Sequence, residues 1–183
     1  IYYSTYDGES WSEPLQVNEP DGDEQDLDPS IAIDDSGYIH IAWVGRPSDG
    51  DYRVYYSYFN GNEWSAEIQI DSLDGLGDYR ARVAAKDPND VWVCWDGVDS
   101  MQEYHIYVVH YDGQGWSRET RIDSDTTETD ECTQIVLNET GFPWVVWDGS
   151  YDHPHSHLDI FCNYYLGNVA LAKRGREVKG RRF

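Results

Sequence analysis

The sequence has few cysteines, few basic residues and no long hydrophobic run, and each shortage excludes a class of protein. Only 3 cysteines occur in 183 residues, an odd and sparse count that argues against a disulfide framework and a cysteine-based zinc site. No apolar stretch is long enough to cross a membrane. Lysine and arginine number 13 against 35 acidic residues, for a net charge of −22. Such a chain repels nucleic acid and anionic membranes, so neither is expected as a partner.

The charge is unevenly distributed along the chain. Residues 1–168 hold 7 basic and 34 acidic residues, whereas residues 169–183 hold 6 basic residues and one glutamate. We therefore predict that residues 169–183 form a basic tail, either disordered or with one weak last strand. A polybasic binding arm is the alternative interpretation of this segment.

Aromatic residues are abundant, with 8 Trp and 15 Tyr, and they recur in a fixed pattern. One set of tryptophans is spaced by 52 residues, and a second set by 53 and then 52. These sets are Trp43, Trp95 and Trp147, and Trp11, Trp64 and Trp116. A glycine marks a turn three residues before each tryptophan of the second set. A repeat of this length is typical of β-propeller blades, because one small sheet must stack on its neighbours to bury both faces.

One repeat shows four short runs of strand-forming residues separated by turn residues. In residues 28–71 the runs are 30–33, 38–44, 52–59 and 66–70, which we call strands A, B, C and D. The fold class is therefore all-β, with blades that are four-stranded antiparallel meanders. The predicted blades are a half blade at 1–18, then 28–71, 79–123 and 131–168.

These blades number about three and a half, fewer than the four or more of closed propellers. We therefore expect an incomplete propeller, which is either part of a longer array or completed by self-association. The flanks expected to be open are formed by Tyr2, Tyr3 and Trp11 at the front, and by Trp144, Phe161 and Tyr164 at the back.

Strand B is apolar on both faces, as expected for a strand covered by the blades on either side. His40 occupies the position that Trp92 and Trp144 hold in the other repeats. A hydrogen-bonded packing role is therefore predicted for His40 rather than a catalytic one.

Connection lengths separate the two rims of the propeller. The A–B and C–D turns are short, and we call their edge the short-turn rim. The B–C loops (45–51, 97–103 and 149–157) and the D–A loops (18–27, 71–79 and 123–131) are longer, and we call their edge the long-loop rim. Variable loops on a rigid scaffold usually carry the binding residues, so any site is expected at the long-loop rim.

Three arginines are the first candidate ligands there. Arg80 and Arg82 open strand A of blade three, the innermost strand of a blade, and Arg46 lies in the first B–C loop. Guanidinium groups suit carboxylate recognition, so these residues are predicted to bind an anionic ligand. The alternative is that they neutralise neighbouring aspartates of this acidic chain.

A histidine-rich loop and an acidic loop are the other candidates. His153, His155 and His157 alternate along the third B–C loop and either bind a ligand or transition metal or form an exposed polar loop. The first D–A loop carries Asp21, Asp23, Asp26 and Asp28, whose carboxylates are the ligands that calcium prefers. They match no established calcium-loop motif, so solvated charge is the alternative to a calcium site.

Residues 4–11 (STYDGESW) and 57–64 (SYFNGNEW) resemble the Asp-box, or BNR, repeats of the sialidase superfamily. The likeness covers residues 1–168 and implies a β-propeller. The acid here adjoins the glycine, whereas the usual form places one residue between them; Val109 replaces serine in the third copy, and the fourth lacks its tryptophan. Asp-box turns are structural in that superfamily and imply no activity.

The resemblance also bears on function. Sialidases use three arginines on a substrate carboxylate, a Tyr–Glu pair and an Asp acid; only the arginines can be matched here, and only by location. The sequence therefore favours a non-enzymatic module, secreted or at the cell surface, that is a scaffold or binds a glycan or protein surface. The alternative is part of a glycan-active enzyme, a sialidase-like glycoside hydrolase or a propeller polysaccharide lyase.

Overall fold

The computed structural model describes residues 1–18, 25–72, 77–123, 129–150 and 158–164. These residues form strands and no helix, so none of them could span a membrane as a helix. The strands are β1 (Tyr2–Tyr3), β2 (Leu15–Gln16), β3 (Gln25–Ile33), β4 (Ile39–Arg46), β5 (Arg53–Phe59), β6 (Ile68–Gln69), β7 (Asp78–Asp87), β8 (Asp90–Val98), β9 (Tyr104–Tyr111), β10 (Thr120–Arg121), β11 (Thr129–Leu137), β12 (Pro143–Ser150) and β13 (Leu158–Tyr164).

The strands pair mainly with their neighbours in the chain, in antiparallel order, which confirms the all-β propeller class. Strands β3 to β6 form one antiparallel four-stranded sheet in sequence order. Strands β7 to β10 pair in the same order, and β11 to β13 follow as the A, B and C strands of blade four. Strands β1 and β2 pair as the C and D strands of blade one.

Each blade packs face to face against the next, and the middle strand β8 is covered on both sides. Val93 and Trp95 belong to a core shared with Val44 and Val54 of blade two. Cys94, one residue between them, belongs to a second core shared with Ile135 and Trp147 of blade four. Successive side chains of a strand point to opposite faces, so this alternation is what burial between two blades requires. It confirms the prediction for strand B.

A bulge interrupts strand A in all three blades that have one. The register with strand B shifts between Leu27 and Ser30, between Tyr79 and Arg82, and between Cys132 and Gln134. Within the first two bulges Asp28 and Arg80 have φ of 51° and 53°, the left-handed region that residues with a side chain seldom adopt. A bulge of this kind bends the strand and redirects its side chains at the rim.

The C–D turns have the geometry that the glycine positions predict. Gly8, Gly61 and Gly113 have φ of 104°, 92° and 83°, which a glycine adopts without a steric penalty. The side chains of Asp7, Asn60 and Asp112 accept hydrogen bonds from the backbone two and three residues on. The turns are therefore closed by their own aspartate or asparagine.

The tryptophan that follows each C–D turn packs on the blade before it, where there is one. Trp64 meets Tyr3 with ring centroids 5.2 Å apart, and Trp116 meets Tyr56 at 5.0 Å, both edge to face. Trp11 of blade one has no such blade before it in this chain and is 69% exposed. Tyr2 and Trp11 are thus exposed, as predicted for the front flank. Tyr3, which was predicted to lie there too, packs on Trp64 of blade two instead.

Candidate functional site

The same polar arrangement recurs where one blade meets the next at the long-loop rim. An Asn or Asp follows strand D of one blade, and an Asp lies within the first two residues of strand A of the next. This second residue stands 17 positions before the tryptophan of strand B. The three sets, which we call the first, second and third junctions, are Asn18, Asp26 and Trp43; Asp71, Asp78 and Trp95; and Asp123, Asp130 and Trp147.

The residue after strand D ties that strand to strand C of its own blade. The side chain of Asn18 accepts a hydrogen bond from the Ile1 nitrogen. Asp71 accepts one from the backbone N–H of Val54 at 3.0 Å. Asp123 does the same for Ile106 at 3.1 Å. These side chains supply the backbone partner where strand D is too short to continue the ladder.

In the first junction both carboxylate oxygens of Asp26 accept a hydrogen bond. The amide of Asn18 donates to Oδ2 of Asp26 at 2.7 Å, and the indole of Trp43 donates to Oδ1 at 3.0 Å. An amide beside a carboxylate needs no shared proton, because the amide is itself the donor. Asp26 thus serves as an acceptor for both of these neighbours.

The second junction replaces that amide by a second carboxyl group. The indole of buried Trp95 donates to Oδ1 of Asp78 at 2.9 Å. Burial, followed by repulsion from Asp71, raises the pKa of Asp78 well above its ordinary value. Burial also raises the pKa of Asp71. Asp78 is buried and Asp71 half-buried, and two carboxyl groups at close range resist ionising together, so the pair favours holding one proton between them.

The third junction adds a histidine and an arginine. The Arg121 guanidinium donates to both carboxylate oxygens of Asp123, at 2.8–3.0 Å. Nδ1 of His105 lies 3.0 Å from Oδ2 of the same carboxylate. Together with the N–H of Ile106, these donors occupy the acceptor positions of Asp123. Asp130 and His105 are both buried, at 0% and 1% exposure.

The other ring nitrogen of His105 faces the second B–C loop. Its Nε2 lies 3.4 Å from Oδ2 of Asp99 and 3.9 Å from Oε2 of Glu103. The side chains of Asp99 and Glu103 are 25% and 46% exposed, so the pocket is reached from solvent. Asp99, Glu103 and His105 form one group with the spacing of metal ligands; His105, Asp123 and Asp130 form another.

A row of tyrosines crosses the long-loop rim from blade two to blade three. The rings of Tyr52 and Tyr79 are 5.1 Å apart between centroids, and those of Tyr79 and Tyr104 are 6.0 Å apart, each pair tilted by 45°. The guanidinium carbon of Arg46 lies 5.1 Å from the centroid of Tyr52, within the range of a cation–π contact. The three rings are half-buried. We call Arg46, Tyr52, Tyr79 and Tyr104 the aromatic row.

The three predicted arginines have separate surroundings. Arg80 makes a two-pronged ion pair with the fully buried Asp96, at 2.8 and 2.9 Å. Arg82 donates to the carbonyl of Ala81 and lines the open inner groove of about 740 Å³ between the A strands. Arg46 belongs to the aromatic row. Arg80 thus neutralises a neighbouring aspartate, and anion binding by these arginines remains a prediction.

The predicted metal ligands fall partly outside the described residues. Asp21, Asp23, His153, His155 and His157 are among these undescribed positions. Asp26 belongs to the first junction, where its two oxygens already accept from Asn18 and Trp43. Asp28 is exposed within the bulge of β3. A calcium site in the first D–A loop therefore stays a prediction, with Asp26 already engaged.

The junctions and His105 were not predicted from the sequence. The signal for the junctions was present, since Asp26, Asp78 and Asp130 recur at intervals of 52 residues and Asn18, Asp71 and Asp123 at 53 and 52. It was hidden because the D–A loops contain many other acidic residues. His105 gave no such signal, because its counterpart in blade two is Arg53.

Comparison with known proteins finds relatives by structure only. No protein-family model matches the sequence, and no curated protein matches it. A Hadza microbial sialidase superposes with a TM-score of 0.60 at 14% identity, over 75% of this chain and 35% of that one.

A polysaccharide lyase of family PL25, an ulvan lyase bound to -[GlcA(1-4)Rha3S]-, gives a TM-score of 0.58 at 15% identity, over 89% and 45% of the two chains. Inulosucrase from Halalkalicoccus jeotgali bound to kestose gives 0.56 at 9% identity, over 97% and 55%. This chain thus spans between about a third and just over half of these proteins. At such identities the likeness concerns the fold alone, which is that of a β-propeller.

Proposed function

We propose that this chain is part of a β-propeller that binds a glycan at its long-loop rim and does not itself catalyse a reaction. The observation that carries the proposal is the aromatic row. A pyranose ring has an apolar C–H face and a polar hydroxyl edge. A tyrosine matches both, because its ring is apolar and its hydroxyl is a donor and acceptor.

The composition of the row also suits recognition by surface contact. Tyrosine and arginine are the residues enriched where surfaces bind, since they offer a large contact area with little loss of side-chain entropy. The rings come from a B–C loop, from the start of β7 and from the start of β9, so the blade scaffold fixes them. The net charge of −22 favours neutral glycans over anionic ones.

The proposal is tested by binding of the labelled chain to a glycan array, followed by calorimetry on the best ligand. We expect Tyr79→Ala to lower affinity by about tenfold or more, because the middle ring contacts both neighbours. Tyr58→Ala is the matched control, since Tyr58 is a partly exposed ring of the opposite, short-turn rim. Tyr79→Phe keeps the ring and should retain most of the affinity.

Two results would contradict the proposal. One is the absence of binding to any glycan by a chain that melts cooperatively. The other is an equal effect of Tyr79→Ala and Tyr58→Ala. If the chain captures a protein, and the capture does not depend on the aromatic row, a protein-binding role would be favoured instead.

A second candidate function is part of a glycan-active enzyme, and one observation favours it. His105 adjoins Tyr104 of the aromatic row, and Asp123 fixes its ring, as a carboxylate does for a histidine that transfers protons. Assays for new reducing ends and for unsaturated products would detect hydrolysis and elimination. Turnover that His105→Gln abolishes and Tyr58→Ala leaves intact would replace the non-enzymatic proposal with this one.

A further inference from the structure

One ring nitrogen of the buried His105, Nε2, lies beside polar groups but makes no hydrogen bond with them. Asp123 is a carboxylate that accepts from Arg121, so it can only accept from Nδ1 of His105. Nδ1 therefore carries a proton. In the neutral ring Nε2 then has a lone pair, and it has no hydrogen-bond partner although it is buried.

Two more acceptors lie near Nε2. Oδ2 of Asp99 and Oε2 of Glu103 lie at 3.4 and 3.9 Å from it. Three electron-rich atoms converging without a donor repel one another, and a cation among them removes the repulsion. That cation is either a proton on Nε2 or a metal ion.

We propose that Asp99, Glu103 and His105 bind a divalent transition-metal ion of the zinc class. This inference goes beyond the proposed glycan binding and does not depend on it. A tetrahedral zinc ion with bonds of about 2.0–2.1 Å holds its ligand atoms about 3.3 Å apart. The separations of 3.4 and 3.9 Å are close to that value, and the three ligand atoms lie within 4.8 Å of one another.

The contact with Asp123 supports a metal role for His105. A metal-bound histidine typically donates its other ring N–H to a carboxylate, which fixes the ring orientation and makes the coordinating nitrogen more basic. Imidazole nitrogen favours zinc, cobalt or nickel over calcium, whose ligands are oxygens. Asp123 itself is a poor ligand, because Arg121, His105 and Ile106 already occupy its oxygens.

The B–C loop holds the carboxylate of Asp99 in place before any ion arrives. Oδ1 of Asp99 accepts from the backbone N–H groups of Met101 and Glu103, at 2.7 and 3.1 Å, which leaves Oδ2 directed at His105. Gln102 closes the turn with φ of 67°. Three protein ligands leave one position of a tetrahedral ion for water or another ligand.

A second buried histidine shows what a purely structural one looks like in this chain. Nδ1 of His40 lies 2.6 Å from the hydroxyl of Tyr56, and its Nε2 lies 3.2 Å from Asp34. Both ring nitrogens are thus within a hydrogen bond of a partner. His105 is equally buried but satisfies only one of its nitrogens.

The test is calorimetry of zinc binding to the full chain after treatment with a chelator, with cobalt(II) absorption as the second measurement. We expect one zinc per chain, and a tetrahedral cobalt spectrum. Glu103→Gln and Asp99→Asn should each lower zinc affinity by about tenfold or more. Asn keeps the Oδ1 acceptor of the loop, and Glu103 is partly exposed, so both variants should fold.

Two controls separate this site from others. Asp51→Asn removes the acid at the position of Glu103 in blade two, where Arg53 replaces the histidine, and should leave zinc affinity unchanged. Replacing His153, His155 and His157 by serine removes competing imidazoles and should also leave this site intact.

Zinc binding that persists in both Glu103→Gln and Asp99→Asn, or no stoichiometric binding, would show that His105 is only a protonated ion-pair partner. If the full chain binds zinc but no glycan, the proposed function is contradicted and the zinc site is not.

Discussion

The first and second junctions occupy the same place in the repeat and differ in a single functional group. In the first, the amide of Asn18 donates to Asp26. In the second, Asp71 stands at the position of Asn18, and its carboxyl group must share a proton with Asp78. The indole of strand B donates to the aspartate of strand A in both. The position thus requires an acceptor for strand C. The other terminal atom of the side chain, nitrogen in Asn18 or oxygen in Asp71, decides whether the next aspartate meets an amide donor or a second carboxyl group.

The third junction shows a further solution to the same problem. Asp123 keeps the acceptor for strand C, and Arg121 and His105 compensate its charge. The three junctions therefore use three different groups: an amide in the first, a proton in the second and cationic side chains in the third. Only the third solution leaves a ring nitrogen directed at solvent-accessible carboxylates, which is why the metal site is proposed there.

The largest effect is expected from converting the second junction into the first. Asp71→Asn keeps the acceptor for Val54 and gives Asp78 an amide donor. Because the raised pKa makes the native state bind more protons than the unfolded state, native stability falls as the pH rises above the ordinary carboxyl value near 4. The variant should therefore be more stable at pH 8, by about 1–3 kcal/mol, and the gain should shrink towards pH 4.

Urea unfolding at several pH values measures this gain. Glu63→Gln is the control, because it removes one exposed negative charge far from the junction. If Glu63→Gln raises the free energy of unfolding by the same amount, the effect is due to net charge and not to the junction. A loss of stability in Asp71→Asn would contradict the shared proton.

A smaller effect is expected from the reverse change in the first junction. Asn18→Asp places a second carboxyl group beside Asp26 and should lower the free energy of unfolding at pH 8 by about 1 kcal/mol. The loss is smaller because the side chain at this position also accepts a hydrogen bond from the Ile1 nitrogen. Stability should recover as the pH falls and one carboxyl takes up a proton. A loss that is independent of pH would point to packing instead.

The smallest effect is expected from His40, whose titration has the opposite sign. Burial lowers the pKa of His40, and contact with Asp34 offsets only part of that. The native state therefore disfavours the charged ring, so the contribution of His40 to stability is complete above its ordinary value near 6.5 and is lost as the pH falls. NMR titration of the imidazole should give a pKa below 6.5, and His40→Gln should weaken the acid loss. A pKa at or above 6.5 would contradict this prediction.

The sequence allowed the scaffold to be predicted more fully than the site. Tryptophans at a constant interval and glycines at the C–D turns were enough, because blade packing and positive φ each restrict the residue type strongly. The site could be placed only at its rim. Arg80 shows why: its partner Asp96 lies 16 residues away across the bulge of β7, and the sequence does not specify which acid a guanidinium will meet.

By itself, then, the sequence determined the all-β repeat, the turn geometry and the rim that carries the long loops, since these follow from local residue preferences and periodicity. Only the tertiary structure decided which polar groups meet at each junction. His105 lies in β9 and Asp123 follows β10, 18 residues further on, and the carboxylates that face His105 come from the loop just before β9. Such contacts depend on blade packing and on the bulge in strand A, and burial then determines whether a carboxyl group is a solvated charge, a shared proton or a ligand.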